Sequence, residues 1–166
     1  GAVTQLGDHK PAGPYRGGKY SVFEGGTRTP FITRWQGRIK PGVSDQMVCT
    51  IDLAASMAGL VGQEIPANAC LDSLNLMPAL LGEESAKGRE FLLQQDNNGA
   101  SMGLRAGDWK LVRQNWPKQQ KVQETLYQLS SDPSEKTNVA KDHPEEFQRL
   151  KKMLDQVIAE GRTRPK

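Results

Sequence analysis

Ser101-Met102-Gly103-Leu104-Arg105-Ala106-Gly107-Asp108-Trp109-Lys110-Leu111-Val112-Arg113 decides how the second half of this chain folds. Two runs rich in strand-forming side chains flank Ala106-Gly107, and so short a glycine-containing link joins strands as a hairpin, with antiparallel pairing. Before the hairpin, Glu90-Phe91-Leu92-Leu93-Gln94 reads as a further strand. After a charged loop, Glu124-Thr125-Leu126-Tyr127-Gln128-Leu129 is the fourth, and Ser130-Ser131-Asp132-Pro133 turns the chain. From Pro144 the apolar period becomes that of a helix: Phe147, Leu150, Leu154, Val157 and Ile158 share a face, Asp142 or His143 stands at the cap, and Glu145–Arg149 and Lys151–Asp155 are spaced to pair. The expectation is a four-stranded antiparallel sheet covered by one amphipathic helix.

The first half reads differently. Residues 1–13 are loop, broken by Gly7, Pro11 and Gly13. Pro30-Phe31-Ile32-Thr33-Arg34-Trp35 has strand composition and ends at Gln36-Gly37. Thr50 is placed to cap a helix from Ile51-Asp52 that buries Leu53, Met57, Leu60 and Val61 and stops at Gly62. Asn75 caps a short helix over 76–81, where Pro78 is tolerated in the first turn, and Gly82 ends it. The polar stretch Glu83 to Gly88 marks a soft boundary. The fold class expected is α/β for the parent and α+β within this stretch: 1–88 as the end of an α/β domain, 89–166 as a small subdomain of sheet and helix.

At 166 residues and 36% hydrophobic composition there is room for one domain with a core, or two small layers sharing one. No apolar run approaches the length that crosses a bilayer, and no signal-peptide pattern is present. The final helix carries both signs of charge on its polar face, unlike a membrane-surface helix. Two cysteines are too few for a disulfide framework, and no Cys/His cluster suggests structural zinc; Cys49, ahead of an apolar helix, is expected to be a buried small hydrophobe. The net charge of +3 is uneven, with seven Lys or Arg against two Asp or Glu in 1–41 and fifteen against seventeen after it. A positive head suits an anionic ligand. No basic repeat interleaved with aromatics supports nucleic acid.

That head is Pro14-Tyr15-Arg16-Gly17-Gly18-Lys19-Tyr20-Ser21-Val22-Phe23-Glu24-Gly25-Gly26-Thr27-Arg28-Thr29-Pro30. Glycine pairs admit positive φ and leave room for a ligand or a second chain segment against the main chain. A Lys on such a turn can deliver its ammonium to an oxyanion, which makes Lys19 the leading candidate; solvated surface turns are the plainer alternative. Arg16, Glu24 and Arg28, with Gly17, Gly18, Gly25 and Gly26, are expected to form the scaffold that presents it. Asp8 and His9 are too few to hold a metal, and no metal ligand set is assigned.

The sequence resembles the segment that follows the metal-binding residues in type I, formylglycine-dependent sulfatases, of the arylsulfatase and N-acetylgalactosamine-6-sulfatase kind. The resemblance rests on His9-Lys10-Pro11, Pro14 to Lys19 and Glu24 to Phe31. It continues, in family order, through Gly37-Arg38-Ile39-Lys40-Pro41-Gly42, Thr50 to Leu53, Leu104 to Lys110, Leu126 to Leu129, Asp132-Pro133 and Asn138. It covers almost the whole chain and only the C-terminal part of such an enzyme. The resemblance implies an alkaline-phosphatase-like fold, hydrolysis of sulfate esters of sugars or aryl compounds, and a catalytic Lys19 at the departing oxygen. It also implies a calcium ion and a formylglycine supplied by the rest of the sulfatase chain, and a secreted, periplasmic or lysosomal site.

Neither Cys49 nor Cys70 fits the Cys-x-Pro/Ala-x-Arg motif that becomes formylglycine. The stretch alone is therefore expected to be inactive. Beside the resemblance, His9 is a candidate to reach a sulfate ester, and Asn97 and Asn98, in the polar loop 94–100, to bond a sugar hydroxyl; an exposed loop is the plainer reading. Membrane and nucleic-acid partners are not expected. Two other readings stay open: a phosphoryl-transfer relative of the same superfamily, and a non-catalytic module that binds acidic glycans.

Overall fold

A computed structural model describes residues 8–116 and 121–165. The expected loop over 1–13 thus has its first seven residues outside the described range, as do residues 117–120 of the charged loop before Glu124. The chain divides into two compact units, Gly1–Pro30 with Leu93–Asp155 and Phe31–Leu92 with Gln156–Lys166. Residues 8–30, grouped by the sequence reading with residues 31–88, share a unit with the sheet, because their charged and backbone groups bond to its strands.

In the first unit a four-stranded sheet runs in the order β1 (Phe91–Gln95), β2 (Ser101–Ala106), β3 (Trp109–Gln114), β4 (Gln123–Gln128). Pairing is antiparallel between β2 and β3, with Ala106 opposite Trp109 across the two-residue turn Gly107-Asp108, and between β3 and β4. Gly107 has φ +57, as such a turn requires. All four expected strands form within one residue of their expected limits.

Register sorts the sheet into two faces. Leu104, Leu111 and Leu126 are mutual partners and lie on one face, fully buried. Arg113 shares that face and pairs with Glu124 and with Asp155 of α4 (Pro144–Glu160) at 2.6 Å, while Lys151 reaches Glu124 at 3.1 Å. Leu150 and Leu154 of α4 are fully buried, as the helical period predicts, and each such side chain contributes about 1.5–3 kcal/mol before entropy. Lys151 pairs with Asp155 as expected, at 3.8 Å, whereas Arg149 takes Glu146 in place of Glu145. On the opposite face Arg105, Lys110 and Tyr127 form one row across three strands, beside Gly103 and Val112. The glycine head covers this second face: Val22 and Phe23 pack with Val112, Tyr127 and Leu129. Both faces of β3 are therefore buried.

The second unit holds α2 (Asp52–Leu60) and α3 (Met77–Leu80). The end of α2 is as predicted: Gly62 has φ +69, and the bonds Gly62 N–H to Gly59 O and Gln63 N–H to Ala58 O complete a Schellman motif. Its start and its face are corrected. No side chain caps it through Thr50, and the N-cap is Ile51. Its buried side is Asp52, Ala55 and Ser56, while Met57 (51%) and Val61 (68%) are exposed. Hydrogen bonds decide this orientation. Ser56 Oγ accepts from Leu76 N–H, Ser73 Oγ accepts from Ala55 N–H, and Asp52 accepts from Cys49 and Leu74 N–H. Asp52 also takes a two-toothed bond from Arg89, at 2.8 and 2.6 Å, with both side chains out of water.

The strand expected over 30–35 does not form. Phe31 to Trp35 are exposed, and without a ladder partner among the described residues the backbone of this strand-prone run is left to water. The short helix is trimmed to Met77–Leu80, with Asn75 Oδ1 accepting Met77 N–H at 3.1 Å. Cys49 is half-buried and Cys70 exposed, both as free thiols.

Candidate anion site on the glycine head

The glycine pairs bring two pieces of main chain together. Gly25 N–H donates to Arg16 O at 2.8 Å, and a Cβ on Gly25 would lie 2.6 Å from Arg16 O and 2.7 Å from Gly17 O. One on Gly26 would collide with the carbonyl oxygens of Gly18 and Ser21. The head takes both uses that glycine allows: Gly17 has φ +77, and Gly25 and Gly26 admit the close approach of a second chain segment. Gly25 and Gly26 lie within a single helical turn, α1 (Glu24–Thr27), where the sequence suggested a simple turn.

The charges of the head separate into bonded and open groups. Glu24, 1% exposed, accepts from Lys110 Nζ at 2.8 Å and lies 3.5 Å from Arg105 and 3.7 Å from Arg28. Its N–H donates to Glu135 Oε2 at 2.6 Å. Glu135 is likewise buried, with φ +52, and its Oε1 lies 3.1 Å from Lys110 Nζ. That contact lacks hydrogen-bond geometry, so Oε1 accepts no bond among the described residues. Burial pushes the Glu135 carboxyl above its ordinary pKa, with Lys110 and the Glu24 N–H pulling the other way. Arg16 donates to Tyr127 Oη and Glu135 O, each at 3.0 Å, and its guanidinium covers the Phe23 ring at 3.8 Å. Arg28 also stacks on Tyr15, 5.1 Å from the centroid. Ser134 Oγ donates to Pro14 O at 2.7 Å.

Lys19 belongs to the open set. It is exposed, has no ion pair among the described residues, and its Nζ lies 5.0 Å from the Tyr20 ring centroid. Tyr20 is 53% exposed and has φ +77, a conformation that costs a bulky residue on the order of 1–3 kcal/mol. Its carbonyl accepts from Asn97 N–H at 3.2 Å, which ties the loop with Asn97 and Asn98, both exposed, to the residue after Lys19. His9 is exposed, and no hydrogen bond or ion pair joins it to Lys19 among the described residues. An open depression of about 360 Å3 lies beside Arg113, Glu124 and Asp155, and another, of about 540 Å3, beside Pro66, Arg162 and Arg164; Lys19 lines neither.

Lys110, Glu135 and Arg105 are the members of the charged cluster to which the sequence reading gave no role. Lys110 carried a signal: it has the strand parity of Val112, a core residue, so its side chain was bound to point inward. Glu135 lies in a turn and carried none. The described residues bring together no group of three or more His, Cys, Asp or Glu side chains able to hold a metal.

Residues 18–164 match the family described as N-sulphoglucosamine sulphohydrolase, C-terminal. The chain belongs to this sulfatase family. Among curated sulfatases, the N-acetylgalactosamine-6-O-sulfatase of Bacteroides thetaiotaomicron is 40% identical over 166 residues, which is 94% of this chain and 32% of that protein. Arylsulfatase A of Bos taurus is 42% identical over 71 residues, covering 43% of this chain and 14% of its own length. The chain thus spans about a third, or less, of these sulfatases. Among solved structures, the Bacteroides thetaiotaomicron protein BT33336S-sulf, from work on its metabolism of multiple glycosaminoglycans, superposes with a TM-score of 0.80 at 38% identity over 90% of this chain and 33% of its own. Ps i-CgsB in complex with k-i-k-neocarrahexaose has the same fold at 23% identity, with a TM-score of 0.69 over 87% of this chain and 32% of its own.

Proposed function

We propose that this chain works as the C-terminal portion of an enzyme that hydrolyses sulfate esters of sulfated sugars, with Lys19 as its catalytic cation. The observation that carries the proposal is the contrast within the head: Glu24 and Arg16 are bonded to Lys110 and Tyr127 of the sheet, while Lys19 stands exposed without an ion pair among the described residues. A fixed ammonium next to a sulfate ester stabilises the charge that grows on the departing oxygen as the S–O bond breaks, and does so more strongly once water is excluded. Glu24 and Arg16, with the close-packed glycines, hold the backbone that presents it.

The family resemblance assigns attack on sulfur to a formylglycine and the organisation of sulfate oxygens to calcium. Both belong to the remainder of the enzyme, and no step is assigned to them within this chain. The 166 residues alone are expected to release no sulfate. A 6-sulfated N-acetylgalactosamine is the substrate to try first, after the name of the Bacteroides relative. The site of action in this proposal is outside the cytoplasm, whether secreted, periplasmic or lysosomal.

In the full-length enzyme, Lys19→Ala is expected to lower kcat about a hundredfold or more, with an unchanged Tm because the side chain is exposed. Turnover equal to wild type would remove Lys19 from the mechanism.

A further inference from the structure

We propose that Tyr20 is the platform on which the sugar ring of the substrate rests. This deepens the sulfatase reading and rests on it. Three observations converge on the residue. Its backbone is held at φ +77, which a tyrosine adopts only when its surroundings enforce it, and the neighbouring bonds do so: Ser21 N–H to Gly18 O, and Asn97 N–H to Tyr20 O. The residue stays 53% exposed, although Val22 and Phe23, two and three residues on, are buried in the core beneath the head. The Lys19 ammonium lies 5.0 Å from the ring centroid.

An exposed aromatic face beside a cation is matched by a ligand with an apolar face beside an anion. A pyranose sulfate has that form: its axial C–H groups make a flat apolar face, and its ester group lies only a few bonds from the ring. With the C–H face on Tyr20, the sulfate comes within reach of Lys19. The loop of Asn97 and Asn98, tied to the Tyr20 carbonyl, then borders the sugar with amide donors and acceptors for its hydroxyls. A tyrosine ring supplies this contact area with only two rotatable side-chain bonds to order. The glycine head therefore carries substrate choice as well as charge: Lys19 meets the departing ester oxygen, and Tyr20 meets the sugar ring that leaves with it.

The test uses the full-length enzyme with 6-sulfated N-acetylgalactosamine, comparing wild type, Tyr20→Gly and Tyr20→Phe. Glycine removes the ring and relaxes the left-handed backbone, so a platform and a packing residue give opposite results. The platform predicts a KM raised about tenfold in Tyr20→Gly with a much smaller change in kcat, a Tm equal to or above wild type, and recovery of KM in Tyr20→Phe. A KM within twofold of wild type in Tyr20→Gly would overturn the proposal, as would a lowered Tm, which would make the ring structural. Wild-type enzyme that releases no sulfate from this sugar or from aryl sulfates would instead overturn the sulfatase reading, and the platform with it.

Discussion

Glu135 shows how one residue binds the glycine head to the sheet and sets a pH dependence in doing so. Its carboxyl takes the Glu24 N–H and faces Lys110, yet burial outweighs both and raises its pKa. The folded chain then holds this proton more tightly than the unfolded chain does. Its contribution to stability is complete below the ordinary glutamate value of about 4.3, declines as pH rises toward the raised folded value, and is flat above it. Glu135→Gln keeps an acceptor for the Glu24 N–H and removes the titration. Urea midpoints measured from the ordinary carboxylate range to neutrality are expected to shift in favour of the variant as pH rises; parallel curves would show that Glu135 does not titrate in this way.

At the scale of the element, α2 is placed by its polar side. Asp52 binds Arg89 and two backbone N–H groups, and Ser56 and Ser73 complete the attachment, while the apolar stripe faces outward. Asp52→Ala leaves the Arg89 guanidinium buried without its partner and is expected to cost about 3–5 kcal/mol. Because the two residues share one interaction, Asp52→Ala and Arg89→Met together should cost less than the sum of the single changes, by at least about 0.5–3 kcal/mol. Denaturant unfolding of the four proteins of the cycle measures this; strict additivity would mean that the pair is not coupled.

At the scale of the whole molecule, the exposed side chains Ile51, Met57, Leu60 and Val61 lie along one short helix and its ends in a chain that spans about a third of its closely matched relatives. Apolar side chains exposed together on one short helix mark a contact surface. In the enzyme proposed above it is covered by the remainder of the protein. The 166-residue chain is accordingly expected to bind an apolar dye such as ANS, and Met57→Asp with Val61→Asp to reduce that binding. The same two changes in the full-length enzyme should lower its soluble yield. Dye binding that is unaffected by the pair would place the apolar surface elsewhere.

The sequence by itself determined the local elements whose signals lie within a few residues: the two-residue hairpin at Gly107, the alternation of four strands, the helix from Pro144 and the glycine stop of α2. It also carried the family, through motifs distributed along almost the whole length. Tertiary structure alone decided which way each surface faces. The strand composition of Pro30 to Trp35 met no partner, since a ladder needs a second strand that no local pattern supplies. The Met and Leu stripe of α2 gave way to Asp52 and Ser56, because an ion pair with a residue 37 positions away outweighed a short apolar stripe. Lys110 and Glu135 meet Glu24 across 86 and 111 residues of chain, and such a distance leaves no trace in spacing. Local geometry is written in neighbouring residues, whereas burial depends on what the folded chain brings from far away.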